Sequence, residues 1–470
     1  MKNLVFILFL FCINACTNTQ KINTTGINKI KLITLDPGHF HAALVQKIMY
    51  NNVDSVVHVY APDGPDLQLH QARINSYNSR SENPTKWKQE IYTGNDFMEK
   101  MLQENKARPN NAAGPRNVIV MSGNNRKKTE YISKAVEAGF HVLADKPMAI
   151  DKQNFELLKS AFAIAEKNKV LLYDIMTERY EITTMLQREL SFHPQIFGQL
   201  EKGTADNPAV TKESVHHFYK YVSGSILTRP PWFMDVTQEG EGIVDVTTHL
   251  VDLIQWECFP EQVIDYTKDV QLISARRWAT DMTANQFKGI TKQNEFPDYL
   301  KKDVVNDSIL KVYSNGEINY KLRDVHAKVS VIWAYQAPEG TGDTHYSIMR
   351  GTKTNLIIRQ GREQNYKPAL YIEPVNNSAS YNDDVTKEFK SIQTKYPGVE
   401  LKKATAGWEV IISEKYKEGH EAHFARVTEK FLQYLKEGKL PSWEVPNMIA
   451  KYYTTTSALE MAKQTKIAVQ

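Results

Sequence analysis

The chain has 470 residues, 41% of them hydrophobic and 24% charged, with a formal net charge of +4. That is enough apolar material for two packed domains rather than one, and too small a positive excess to suggest a nucleic-acid partner. The three cysteines show no CxxC and no zinc-like spacing, so neither a disulfide framework nor a metal site is expected.

Met1 to Ala15 reads as a leader. Lys2 carries one positive charge, Leu4 to Cys12 is an apolar run too short to span a bilayer, and Ile13-Asn14-Ala15-Cys16 resembles a lipobox. The expectation is a signal peptide over 1–15, lipidation of Cys16, and a polar tether over 16–28. An ordinary secretory signal is the alternative, and in either case the chain is exported. The lack of an acidic run after Cys16 favours the periplasmic face of the outer membrane over the cell surface. Only Cys258 then remains as a free thiol.

Lys29 to Leu35 reads as a first strand, Asp36 to His41 as a turn, Ala42 to Tyr50 as a helix and Val56 to Tyr60 as a second strand. Strand, tight turn, helix, strand is the opening of a dinucleotide-binding unit. The turn departs from G-x-G-x-x-G: only Gly38 stands in place, with Asp36 and His41 at the outer glycine positions. Gly38 still lets the backbone approach a pyrophosphate, whereas Asp36 repels one unless its side chain turns away. His39 and His41, near the expected nicotinamide end, read either as extra acid–base groups or as packing and hydrogen-bonding residues, with the second reading favoured.

Asn117 to Met121 is a buried strand followed by the polar loop Ser122-Gly123-Asn124-Asn125. Thr129 to Ala138 is a helix, closed by Gly139. His141 to Ala144 is the next strand, with Asp145-Lys146-Pro147 at its carboxyl end, where open α/β sheets bind ligands. Phe155 to Lys167 is a helix and Val170 to Tyr173 a further strand. Repeated strand–helix units predict a parallel sheet with right-handed crossovers over 29–176.

From about Gln195 the texture changes. Ile318 to Leu322, Ala327 to Ala334 and Thr354 to Ile358 suggest a mostly antiparallel sheet within 177–470. Gly407 to Glu421 looks like a surface elaboration. Ala422 to Glu437 and Pro446 to Lys466 read as helices. Before them, Glu239-Gly240-Glu241-Gly242 breaks into a helix that places Asp245, His249 and Asp252 on one face. A histidine beside a carboxylate suits acid–base work near neutral pH. A helix–helix packing face with a satisfied polar pair is the plain alternative.

With these pieces placed, the sequence resembles the Gfo/Idh/MocA oxidoreductase family. Ala135 to Pro147 is similar to the family's A-x-x-A-G-K-H-V-x-x-E-K-P, with Asp145 in place of the glutamate. Gly242 to Asp252 resembles its G-G-x-x-x-D-x-x-x-H-x-x-D helix, and Arg350 to Leu356 its G-T-x-G-x-L turn. The resemblance implies an α/β protein: a Rossmann domain, then an α/β domain with a large, mostly antiparallel open sheet. It implies NAD or NADP, tightly bound or else lost, held by Gly38, His39, Phe40, Ser122, Asn124, Asp145, Lys146 and Pro147. It also implies a sugar between the domains, with Lys146, Asp245 and His249 as the catalytic set.

Export constrains the chemistry, because soluble nicotinamide cofactor is not regenerated outside the cytoplasm. The expectation is therefore redox-neutral: elimination, such as dehydration of a uronic acid end, or glycoside cleavage assisted by retained cofactor. Arg179, Arg229 and Trp232 are candidates for gripping an acidic sugar. The alternatives are a net NAD(P)-dependent sugar dehydrogenase and a non-catalytic sugar-binding lipoprotein. Assembly into a homo-oligomer is left open.

Overall fold

The computed structural model describes residues 29–105, 116–222, 225–339, 341–376 and 378–464. The expected leader over 1–15, Cys16 and the expected tether over 16–28 lie outside the described residues. Among the described residues, no helix is long and apolar enough to cross a membrane.

The first domain is built on six parallel strands: β1 (Lys31–Leu35), β2 (Val56–Ala61), β3 (Lys88–Thr93), β4 (Asn117–Met121), β5 (His141–Asp145) and β6 (Leu172–Ile175), in the order β3-β2-β1-β4-β5-β6. This is the doubly wound order, whose reversal between β1 and β4 opens a crevice at the strands' carboxyl ends. The central strands are apolar runs because helices cover both faces: β5 is buried at all five positions, and β1 and β4 at four of five each.

The first helix is shorter than its spacing predicts, spanning only His41–Leu44. The carbonyls that would extend it are taken by side chains. Trp87 Nε1 donates to Gln46 O at 2.7 Å, Tyr50 Oη to Val45 O at 2.8 Å, and Arg80 to Lys47 O at 2.7 Å. So short a helix contributes little macrodipole toward a phosphate.

The second domain is a large open sheet. From one edge it runs Val270–Thr283, Ile309–Leu322, Val325–Gln336, Val210–Tyr219, Thr344–Arg350, Thr354–Arg359, Ala369–Pro374, Gly407–Ile411 and Glu400–Ala404. Along this path only Val325–Gln336 with Val210–Tyr219 is parallel; every other pair is antiparallel. The segment expected to be a surface elaboration joins this sheet. Gly407–Ile411 alternates Trp408 and Val410 inward with Glu409 and Ile411 outward, which is enough to bury one face.

The C-terminal helices tie the domains together. His420–Glu437 sends Phe424, Phe431 and Leu435 into the core of the first domain. Glu444–Gln464 gives Met448 and Tyr452 to that core, and Ala458 and Leu459 to the core of the second.

Candidate active site

A cavity of about 790 Å³ lies between the domains, within the range that holds small ligands. Its walls come from the turn after β1 (His39, Phe40, His41), the tip of β5 (Asp145, Lys146), the run from Glu239 to His249, and one face of the open sheet (Ser214, His216, Asp343, His345).

Lys146, Asp245 and His249 all face this cavity. Lys146 Nζ is in direct contact with Asp245 Oδ1, and both side chains are largely buried. Burial works against the Lys146 ammonium, but the Asp245 and Asp145 carboxylates outweigh it and raise its pKa. The group is therefore a fixed cation, not a base. His249 is pushed down to about 3 by burial and by the Lys146 charge, so it is neutral at ordinary pH. Its Nδ1 is buried with no hydrogen-bond partner.

Asp245 precedes the helix instead of lying on it. The helix spans Thr247–Cys258, and Asp245 sits in the turn before it, its N–H bonded to Glu241 O at 3.0 Å. Gly242 sets this turn against the sheet: an added Cβ would stand 1.7 Å from Ser314 O. Gly242→Ala is expected to cost about 2–4 kcal/mol of stability through overpacking, read as a lower denaturant midpoint. An unchanged midpoint would mean that the turn does not lean on the sheet.

Asp252 and Arg179 do not belong to the cavity. Arg179 donates to Asp252 at 2.7 and 2.8 Å and to Glu444 at 3.1 Å, while Lys451 Nζ lies 2.8 Å from Asp252 and 2.7 Å from Asp174. The expected sugar-gripping role of Arg179 is thus corrected: its donors are spent in a buried ion network joining β6 to two helices. Trp232 is also placed elsewhere, packing beside Gly38 with its Nε1 donating to Asp66 Oδ2 at 2.7 Å. Arg229 does line the cavity, lying over the rings of Phe233 and Trp333 and donating to Phe218 O at 3.0 Å.

The residues expected to hold cofactor divide. His39, Phe40, Asp145 and Lys146 face the cavity. Ser122 Oγ donates to Asp145 Oδ2 at 2.8 Å, and Asn124 Nδ2 to Gln238 Oε1 at 2.7 Å, so both side chains are committed within the protein. Gly38 N bonds back to Asp36 O at 2.8 Å. The Asp36 carboxyl is pushed up to about 6 by burial and by neighbouring Asp66, which lessens its charge beside the turn. The nicotinamide end of a dinucleotide is well matched. There the cavity meets the strand tips, and the buried polar atoms His249 Nδ1 and Asn125 Oδ1 lack partners.

Three further groups carry no motif in the sequence that marks them as functional. Glu239 is buried on the cavity wall, and burial together with Asp245 holds its carboxyl well above the usual range. Glu178 meets His420 at 3.3 Å. Asp343 meets His216 at 3.1 Å and His217 at 3.2 Å, with Lys220 alongside. Alternation along Val210–Tyr219 was the available signal for the last group, since Lys212, Ser214 and His216 recur at every second position.

A doubly wound dinucleotide domain with a cation at its strand tips, a neutral histidine facing the same cavity from the Thr247–Cys258 helix, and an open sheet closing the far side define a two-domain oxidoreductase. The family model "Oxidoreductase family, NAD-binding Rossmann fold" matches residues 38–174, and "Putative oxidoreductase C terminal domain" matches 186–463. The chain belongs to the Gfo/Idh/MocA oxidoreductase family, and its first domain is an NAD-binding Rossmann fold. It is similar to a crystal structure of a "putative oxidoreductase" from Parabacteroides merdae, at 58% identity over 93% of this chain and 98% of that one, with a TM-score of 0.89. Levoglucosan dehydrogenase in complex with NADH and L-sorbose is 11% identical over 92% and 97% of the two chains, with a TM-score of 0.59. GenD2 from gentamicin A biosynthesis, in complex with NAD, is 13% identical over 94% and 96%, with a TM-score of 0.53. At those identities the last two likenesses show the fold alone. No curated protein matches the chain.

Proposed function

We propose that this protein is an exported, lipid-anchored enzyme that acts on sugars or oligosaccharides by redox-neutral chemistry, with NAD or NADP retained between turnovers. Elimination, as at a uronic acid end, and glycoside cleavage are its two forms. The observation that carries the proposal is the contact of Lys146 with Asp245 beside a neutral, unpartnered His249, all facing one cavity.

NAD, when bound, supplies a reversible hydride acceptor. The chain's own groups supply the rest. His249, neutral near pH 7, can take the hydroxyl proton of the carbon being oxidised. The Lys146 ammonium steadies the developing alkoxide, and Asp245 holds that ammonium in place. A ketone so formed acidifies the adjacent C–H. Glu239, whose carboxyl is held above the usual range by burial and by Asp245, is the group suited to donate a proton to a departing oxygen. Arg229, with Nε and Nη2 given to the Phe218 and His217 carbonyls, keeps Nη1 alone for an acidic sugar.

Retention of cofactor is supported by the way the domains are latched across the cofactor turn. Trp232 is bonded to Asp66, Asn124 to Gln238, and Asn125 Nδ2 to Glu239 O at 2.7 Å. These ties hold the two domains together around the cavity, which would slow exchange of a bound cofactor with solvent.

The test is incubation with neutral and uronic-acid-ended oligosaccharides in D2O, followed by NMR and by absorbance of reduced nicotinamide. The proposal predicts either cleaved product with deuterium at the carbon beside the oxidised one or unsaturated product that has lost that hydrogen, and in both cases no accumulation of reduced cofactor. Keto-sugar with matching reduced cofactor would make the protein a net dehydrogenase. Sugar binding without turnover would make it a binding protein.

A further inference from the structure

His39, His41 and Asp145 meet at one point on the cavity wall. Their ligand atoms all lie within 4.8 Å of one another. His41 Nδ1 is 2.9 Å from Asp145 Oδ2, and His39 Nδ1 is 3.6 Å from the same oxygen. Around a tetrahedral zinc with bonds of 2.0–2.1 Å, neighbouring ligand atoms stand ~3.4 Å apart, so these two separations straddle the required edge. The two rings are nearly perpendicular, at 89° with centroids 4.1 Å apart, so their nitrogens approach from different directions.

Three polar groups thus converge on one carboxylate oxygen, since Asp145 Oδ2 also accepts from Ser122 Oγ at 2.8 Å. The sequence points the same way. His41 stands at the last glycine position of the expected turn, and Asp145 stands in place of the glutamate in the E-K-P signature. These two departures from the family pattern, 104 residues apart, are the ones in contact.

We propose that His39, His41 and Asp145 bind a divalent cation of the zinc class. Two imidazoles and a carboxylate are the donor set of open, three-ligand sites, which leave one position for water or substrate. The surroundings hold the ligands still. Ser122 donates to Asp145 Oδ2 at 2.8 Å, Lys128 Nζ to the Asp145 carbonyl at 3.1 Å, and the His41 ring packs on Phe424 with centroids 4.5 Å apart. Such outer contacts are what fix metal ligands in place. Two lysines stand near this point: Lys146 is met by Asp245, and Lys128 gives its Nζ to the Asp145 and Pro147 carbonyls. The open position faces the cavity, where the metal would polarise a hydroxyl or carbonyl oxygen of the substrate; this last role rests on the proposed sugar chemistry, whereas the site itself does not.

The test is titration of untagged, metal-stripped protein with Co²⁺ and with Zn²⁺, without sugar, read by visible ligand-field absorption and by calorimetry. One equivalent per chain is expected, weakened at least 100-fold in His39→Ala and in Asp145→Asn. His39→Ala is the more informative variant, because that ring is the least buried of the three and circular dichroism can confirm its fold. His216→Ala, in the separate cluster with Asp343, is expected to bind as the unaltered protein does. No saturable binding, binding unchanged in His39→Ala, or binding lost in His216→Ala instead would overturn the proposal. Because no sugar is present, these outcomes are independent of whether the proposed reaction is correct.

Discussion

His249→Ala is expected to lower turnover of the sugar substrate by 10²–10⁴-fold, the range for loss of a positioned acid–base group, with little loss of stability. The side chain is buried but its Nδ1 has no partner, so removing it breaks no hydrogen bond at that atom. Lys146→Ala is expected to lower turnover by a further distinct route, about 10²–10³-fold, through loss of the charge that steadies an alkoxide. It also strands the Asp245 carboxylate, so Lys146→Met with Asp245→Asn is the cleaner comparison. Steady-state rates with circular dichroism on each variant check both. Full activity in His249→Ala would remove the histidine from the chemistry.

Arg179→Ala is expected to have the largest effect on stability. Asp252 and Glu444 are both almost wholly buried, and each loses the guanidinium that offsets its desolvation. Breaking one partner of a buried ion network costs about 3–5 kcal/mol. Burial alone would raise the Asp252 carboxyl, but Arg179 and Lys451 hold it well below the usual range. That part of the stability is present at neutral pH and is lost as the pH falls through the depressed folded-state value. Urea unfolding of Arg179→Ala should therefore show a much lower midpoint at pH 7. KM at a permissive temperature should not change. A raised KM with an unchanged midpoint would return Arg179 to the substrate.

The parallel half of the fold was legible because its strands are buried on both faces and leave unbroken apolar runs: Asn117–Met121 spans the same five residues in sequence and structure. The helix after β1 misled because Ala42 to Tyr50 carries helical spacing, while the groups that end the helix, Trp87 and Arg80, lie far along the chain. Gly407–Ile411 misled because a half-buried strand of five residues between charged segments gives only two inward positions to read. At the site, the β5 tip and the His249 helix stood out as local motifs. Arg179 did not betray its role, since an arginine looks the same in sequence whether it holds a sugar or Asp252. The His39, His41 and Asp145 cluster was hidden for a similar reason. His39 and His41 are two apart, but their third member is supplied by β5, which only the β1–β4–β5 pairing brings alongside.

The most direct measurement is mass spectrometry of the small molecules released when the purified protein is denatured. The account predicts NAD or NADP at close to one per chain, retained through purification beneath the Trp232–Asp66 latch. No nicotinamide cofactor released, and none bound when NAD and NADP are titrated into the protein, would contradict it.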